Sequence, residues 1–188
     1  MDYLSIVTKD QIDKLLTKAQ SDQRKRAIIP LTKDEYTGPQ VAVSLILPGS
    51  YVRIHKHPKG AEQWFGLQGR ILVPTYDDEG NLLDCRVVAG LESALSGTQW
   101  NYAVPQGRFH GAFALHPYAL TMHVSPGPHV FAEDKVDAPF APKEGYNNGI
   151  IENSALDYNN ARRADLESYA AALQGYNSHA IQTAAIGQ

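Results

Sequence analysis

Between Gly49 and Gly69 the chain runs glycine, five residues, His55, Lys56, His57, four residues, Glu62, six residues, glycine. No other stretch constrains the fold as much. Residues two apart on a strand face the same side, so His55 and His57 point together. Glu62 opens the partner strand across a short loop. Further on, Pro105-Gln106-Gly107-Arg108-Phe109-His110 delivers a third histidine behind a turn signal. His-x-His alone is weak, since many strands carry it; the full run with the second segment is specific. Three imidazoles and one carboxylate converging inside a sheet suit one divalent transition metal, Fe, Mn, Ni, Co or Zn. His55, His57, Glu62 and His110 are therefore the expected ligands.

The rest of the chain supplies such a sheet. Thr8 and Gln11 form a capping box ahead of Ile12, Leu15, Leu16 and Ala19 at helical spacing. Arg24-Lys25-Arg26 reads as the solvated end of that helix. From about residue 40 the period changes to two. Val41, Val43, Leu45 and Leu47 read as a half-buried strand, and Tyr51 to His57 as the next. Gln63–Gln68, Arg70–Tyr76, Leu82–Val88, Trp100–Val104, Gly111–Leu115 and Ala119–Ser125 follow, with turns at Gly69 and at Asp77 to Asn81. Short strands punctuated this regularly predict an antiparallel barrel or sandwich over about residues 40–125. A proline- and glycine-rich run from Pro126 then wraps the surface. Residues 1–145 form the expected domain. Residues 146–188 form a polar C-terminal extension, partly helical, with one helix expected from Ala161 to Gln174 before Gly175.

A net charge of −3 over 188 residues gives no sign of a nucleic-acid partner. The single cysteine, Cys85, allows no internal disulfide and reads as an inert buried thiol. The start lacks a leader pattern, and no apolar run reaches the ~20 residues of a membrane span. The expectation is a soluble cytoplasmic protein.

Strand alternation names further inward residues. With His55 inward go Tyr51 and Arg53; with Glu62 inward go Trp64, Gly66 and Gln68. Arg53 either clamps an anionic group of a substrate or pairs with a carboxylate. Trp64 is a core filler or a stacking platform. Trp100 and Tyr102 line the pocket or fill it. His123, in register with Ala119, Thr121 and Ser125, is a hydrogen-bonded residue or a base. His116 and His129 receive no role. No phosphate-cradling loop and no nucleophile elbow is present in the sequence.

The two histidine segments resemble the two motifs of the cupin superfamily. The resemblance extends to the WbuC family of cupin-fold metalloproteins. It is carried by Arg24-Lys25-Arg26, Tyr51 to Pro58, Glu62 to Arg70, Asp77-Asp78-Glu79-Gly80, Gly127-Pro128 and Ala138 to Pro142. It covers about residues 8–145. Three positions depart from the family pattern. Ile54 stands where proline is expected, His123 where an acidic residue is expected, and Ala114 where asparagine is expected.

The resemblance implies a mainly β, jelly-roll type cupin barrel with a histidine-rich metal site and genes near those for surface-polysaccharide synthesis. It also implies a homodimer through the outer sheet. It supplies no reaction, since cupins host many. Three functions stay open. The chain is a metal-dependent enzyme on a small polar substrate such as a sugar or sugar-nucleotide, by isomerase, epimerase or dioxygenase chemistry. Alternatively it is a non-catalytic module binding a small ligand, or a structural barrel with a vestigial site. Arg53 and His123 are the catalytic candidates of the first.

Overall fold

The computed structural model describes residues 7–33, 36–93, 98–115, 117–128, 130, 133–143, 146–147, 150–151, 161–162 and 166. The capping box forms as expected: the Thr8 hydroxyl accepts from the Gln11 amide at 3.3 Å, and the Thr8 amide donates to the Gln11 side chain at 2.8 Å. Helix α1 (Lys9–Ser21) follows and buries Leu15 and Ala19. It ends before the basic triplet. Arg26 is not part of a solvated helix end; it opens a strand, β1 (Arg26–Pro30), and its guanidinium donates to the Tyr51 carbonyl at 2.6 Å. The apolar run Ala27-Ile28-Ile29 is short and stopped by Pro30, so its periodicity was too brief to register.

The strands that follow are β2 (Gln40–Ile46), β3 (His55–Lys56), β4 (Glu62–Gln68), β5 (Arg70–Tyr76), β6 (Leu82–Ala89), β7 (Asn101–Val104), β8 (Phe109–His110), β9 (Phe113–Ala114), β10 (Ala119–Ser125) and β11 (Val136–Asp137). A small hairpin, β12 (Tyr146–Asn147) and β13 (Ile150–Ile151), comes last. The strands pair antiparallel into two main sheets. One has the order β1-β2-β10-β4-β7; the other runs β11-β3-β8-β5-β6, with β9 also on β5. Among the described residues a lone parallel bridge, Val88 to Gln99, ties the β6 edge toward β7. The fold is thus a mainly β double sheet with an N-terminal helix, and not a continuously hydrogen-bonded barrel.

Between the sheets lies an apolar cluster of Ile46, Trp64, Ile71, Val73, Val88, Val104, Ala112, Ala114 and Ala119. Strand β2 is buried on both faces, not half-buried. Ala42, Ser44 and Ile46 alternate with Val43 and Leu45, and the latter pack with Leu15, Ala19 and Leu120 under α1. The helix covers what would otherwise be a solvated sheet face. Gly69 carries the chain from one sheet to the other at φ +70°, and a side chain there would strike the Tyr118 carbonyl.

One expected strand is shorter and one loses its alternation at the end. Tyr51 to Ile54 is buried or half-buried chain outside the ladder, and pairing begins only at His55. In β4, Glu62, Trp64 and Gly66 are buried as alternation predicts, but Gln68 is exposed. The register against β10 shifts between Leu120 and Thr121, and that irregularity ends the alternation.

Most of residues 146–188 lie outside the described set, as do His116 and His129. Of the helix expected from Ala161, positions 161, 162 and 166 are described and helical. Leu166 is buried with Leu72, Cys85, Val87 and Phe113, on the side of the second sheet away from the intersheet cluster. Among the described residues no helix is long and apolar enough to cross a membrane.

Candidate metal centre

The ligand candidates arrive from both sheets. His55 on β3 and His110 on β8 face each other in direct register, and His110 is also paired with Thr75 of β5. Glu62 opens β4 in the other sheet, opposite Val104. His57 stands in the loop between β3 and β4. The turn that brings His110 is fastened to the same loop: the Gly107 amide donates to the His57 carbonyl at 3.0 Å. One donor atom from each of His55, His57, Glu62 and His110 lies within 4.8 Å of the other three. Opposite donors on a cation with bonds of about 2.1 Å stand about 4.2 Å apart, so a contraction of tenths of an ångström would close the set. This cluster could hold a metal ion.

The hydrogen bonds set the tautomers. His55 Nδ1 meets the Arg53 carbonyl at 2.8 Å, His57 Nδ1 the Asp134 carbonyl at 2.7 Å, and His110 Nδ1 the Arg108 carbonyl at 3.0 Å. A carbonyl only accepts, so each Nδ1 carries the proton. A neutral ring then turns a bare Nε2 lone pair toward the centre, which is the form that binds a metal. His110 Nε2 lies 2.9 Å from Glu62 Oε2. His57 Nε2 is buried without a hydrogen bond, 3.6 Å from Glu62 Oε1. Two acceptors that close require a proton or a cation between them, and a buried orphan acceptor has the same need. The donor set therefore fits a divalent transition metal.

The electrostatics agree. Burial, helped by the neighbouring His110, pushes the His55 pKa down to about 3, so this ring stays neutral near pH 7. Burial works to raise the Glu62 pKa, but the adjacent His110 and His57 rings outweigh it and hold the carboxyl well below its ordinary value. For His57 burial is again the largest influence and lowers the pKa. The nearby Glu62 carboxylate reverses the balance, leaving the net shift upward.

The other candidates fall into different places. The Arg53 guanidinium donates to Asp137 at 2.7 Å and lies 3.4 Å from the Ala138 carbonyl. Tyr51 to Ile54 lies outside the ladder, and Asp137, the partner of Arg53, is the register neighbour of His55 on β11. Tyr51 is buried and donates to the Pro142 carbonyl at 2.7 Å. His123 does face the space between the sheets, between Ala42 and Trp64 in register. Its Nδ1 lies 3.4 Å from the Ser44 hydroxyl, and its ring packs on Trp64 at 5.4 Å. Burial lowers its pKa, opposed by the charge of Glu62. Trp100 does not line the interior; it is exposed and meets Phe65 edge-on, while Tyr102 packs inward. Cys85 is buried and free, its pKa raised to about 12 chiefly by burial.

Sequence reasoning placed Trp64 inward but missed its role, and it missed Asp134 altogether. Trp64 donates its indole N–H to Glu62 Oε2 at 2.9 Å; the spacing of two from Glu62 was the available signal. The Asp134 carbonyl that orients His57 comes from a loop 77 residues away, for which no local signal exists.

The family model described as a domain of unknown function, DUF6016, matches residues 7–88, which include the first histidine segment and stop short of His110. No curated protein matches the chain. Among solved structures, CapF bound to the inhibitor 3-isopropenyl-tropolone is 19% identical, with 62% of this chain and 32% of that chain covered at a TM-score of 0.49. Protein SO0799 from Shewanella oneidensis is 18% identical, with 72% and 86% covered at 0.49. The formate complex of oxalate decarboxylase from Lactobacillus farciminis is 17% identical, with 54% and 27% covered at 0.42. The chain thus spans a third or less of the CapF and oxalate decarboxylase chains. Its own geometry gives a double β-sheet carrying three imidazoles and one carboxylate that could hold a metal ion.

Proposed function

We propose that His55, His57, Glu62 and His110 bind one divalent transition metal. We further read the chain as a metal-dependent enzyme acting on a small polar substrate, with sugars and sugar-nucleotides the first class to test. The carrying observation is the set of three imidazoles that each spend Nδ1 on a backbone carbonyl and turn Nε2 toward one buried carboxylate. The metal would supply Lewis acidity to substrate oxygens. His123, whose pKa burial lowers, would be the group that accepts a proton at its ring. Arg53 would hold an anionic group only by sharing or leaving Asp137. The WbuC resemblance supports the polysaccharide setting, which an isomerase or epimerase step would suit; dioxygenase chemistry suits the same ligands if the metal is iron.

That Arg53 is already paired favours a second reading, a module that binds a small ligand without turning it over. Metal analysis of protein purified without chelator tests the first step: about one equivalent is expected, and none would sink both readings. Turnover of a sugar panel that disappears in His110→Ala would select the enzyme. Saturable binding without turnover would select the module.

A further inference from the structure

Glu62 is buried, and its ability to serve as a ligand depends on how its carboxylate is held. Trp64 sits two residues along β4, on the same face, and is itself buried at 5% exposure. The indole is wedged between His123 and Tyr102, its register partners on the flanking strands, and packs into the intersheet cluster. Nothing in that wedge lets the ring turn freely, so the direction of its N–H is set by packing. That N–H meets Glu62 Oε2 at 2.9 Å. A buried indole N–H needs an acceptor, and a carboxylate oxygen is a strong one.

We propose that Trp64 is a positioning residue for the metal centre: its N–H donates to Oε2 and fixes the Glu62 carboxylate, so that Oε2 also faces His110 and Oε1 lies on the side of His57. The inference rests on the metal reading above and adds a determinant of affinity outside the four ligands. Loss of such a supporting bond typically weakens metal binding about 10–100-fold.

The test titrates Co(II) into metal-free wild type, Trp64→Phe, and a chain with the isostere β-(3-benzothienyl)alanine at position 64. The isostere keeps the ring's shape and deletes the N–H, so it answers even if the phenylalanine variant folds poorly. We expect both replacements to weaken Co(II) binding about 10–100-fold and to shift the visible Co(II) bands, while thermal stability of the isostere without metal stays close to wild type. In metal-free wild type the Trp64 indole proton should resonate downfield and lose that shift in Glu62→Ala. Wild-type Co(II) binding with unchanged affinity and bands in both replacements overturns the positioning role alone. Failure of wild type to bind Co(II), Mn(II) or Zn(II) overturns the metal reading and the role together.

Discussion

Two atoms that both accept hydrogen bonds, His110 Nε2 and Glu62 Oε2, stand 2.9 Å apart in a buried space. The residue-scale consequence is that neither is replaceable without stranding the other. His110→Ala should abolish stoichiometric metal binding, a loss exceeding the ~10–100-fold of a supporting contact, as isothermal titration with Zn(II) would show. Retention of full affinity would remove His110 from the centre. Cys85 gives the opposite expectation, inertness. Its thiol is pushed up to about 12, above the unfolded value, so the folded state favours the neutral form. Its contribution to stability is complete below the unfolded pKa and declines as pH climbs through the window toward 12. At pH 8 iodoacetamide should leave Cys85 unmodified in the folded protein and label it in urea, as intact mass would report; rapid labelling without urea would contradict the burial.

At the scale of elements, β11 lies along β3, the strand that bears His55, with Asp137 opposite that histidine. Three further ties hold the segment. The Ala138 amide donates to the Ile54 carbonyl at 2.8 Å, Lys59 meets Glu133 at 3.1 Å, and the Asp134 carbonyl accepts from His57. Asp137→Ala should cost about 1.5–3 kcal/mol in urea unfolding, because it strands a partly buried guanidinium. It should also speed exchange of the Ala138 amide; an unchanged exchange rate would mean the ion pair does not hold the segment. This element also marks how far local pattern reaches. Strands β2, β4, β5, β6 and β10 and helix α1 are long and periodic, and sequence patterning located them. Strands β1, β3 and β11 are short, and their place is set by partners far along the chain. Alternation failed for Gln68 because it lies beyond a register shift. The four ligand candidates were legible because their spacing is local within each motif. Their surroundings, Asp134 and the wedge around Trp64, were not, because only tertiary packing brings them there.

For the whole molecule, acid should be hostile to the metal-free state. His55 is neutral when folded down to about pH 3 but protonates near 6.5 when unfolded, so stability falls as pH drops through that window. Glu62, held low, adds a loss in the same direction below its unfolded pKa. His57, shifted upward, offsets part of this. The melting temperature of metal-free protein should therefore decline between about pH 6.5 and 4; a flat profile would contradict the burial of His55. Since His55 and His110 belong to one sheet and Glu62 to the other, a cation held by all of them is a rivet through the sandwich. Its effect obeys mass action: at a hundredfold excess over the dissociation constant it adds about 2.7 kcal/mol to global unfolding. Calorimetry across Zn(II) concentrations should show one transition climbing steadily, with the layers parting together, and not a separate early event confined to a loop.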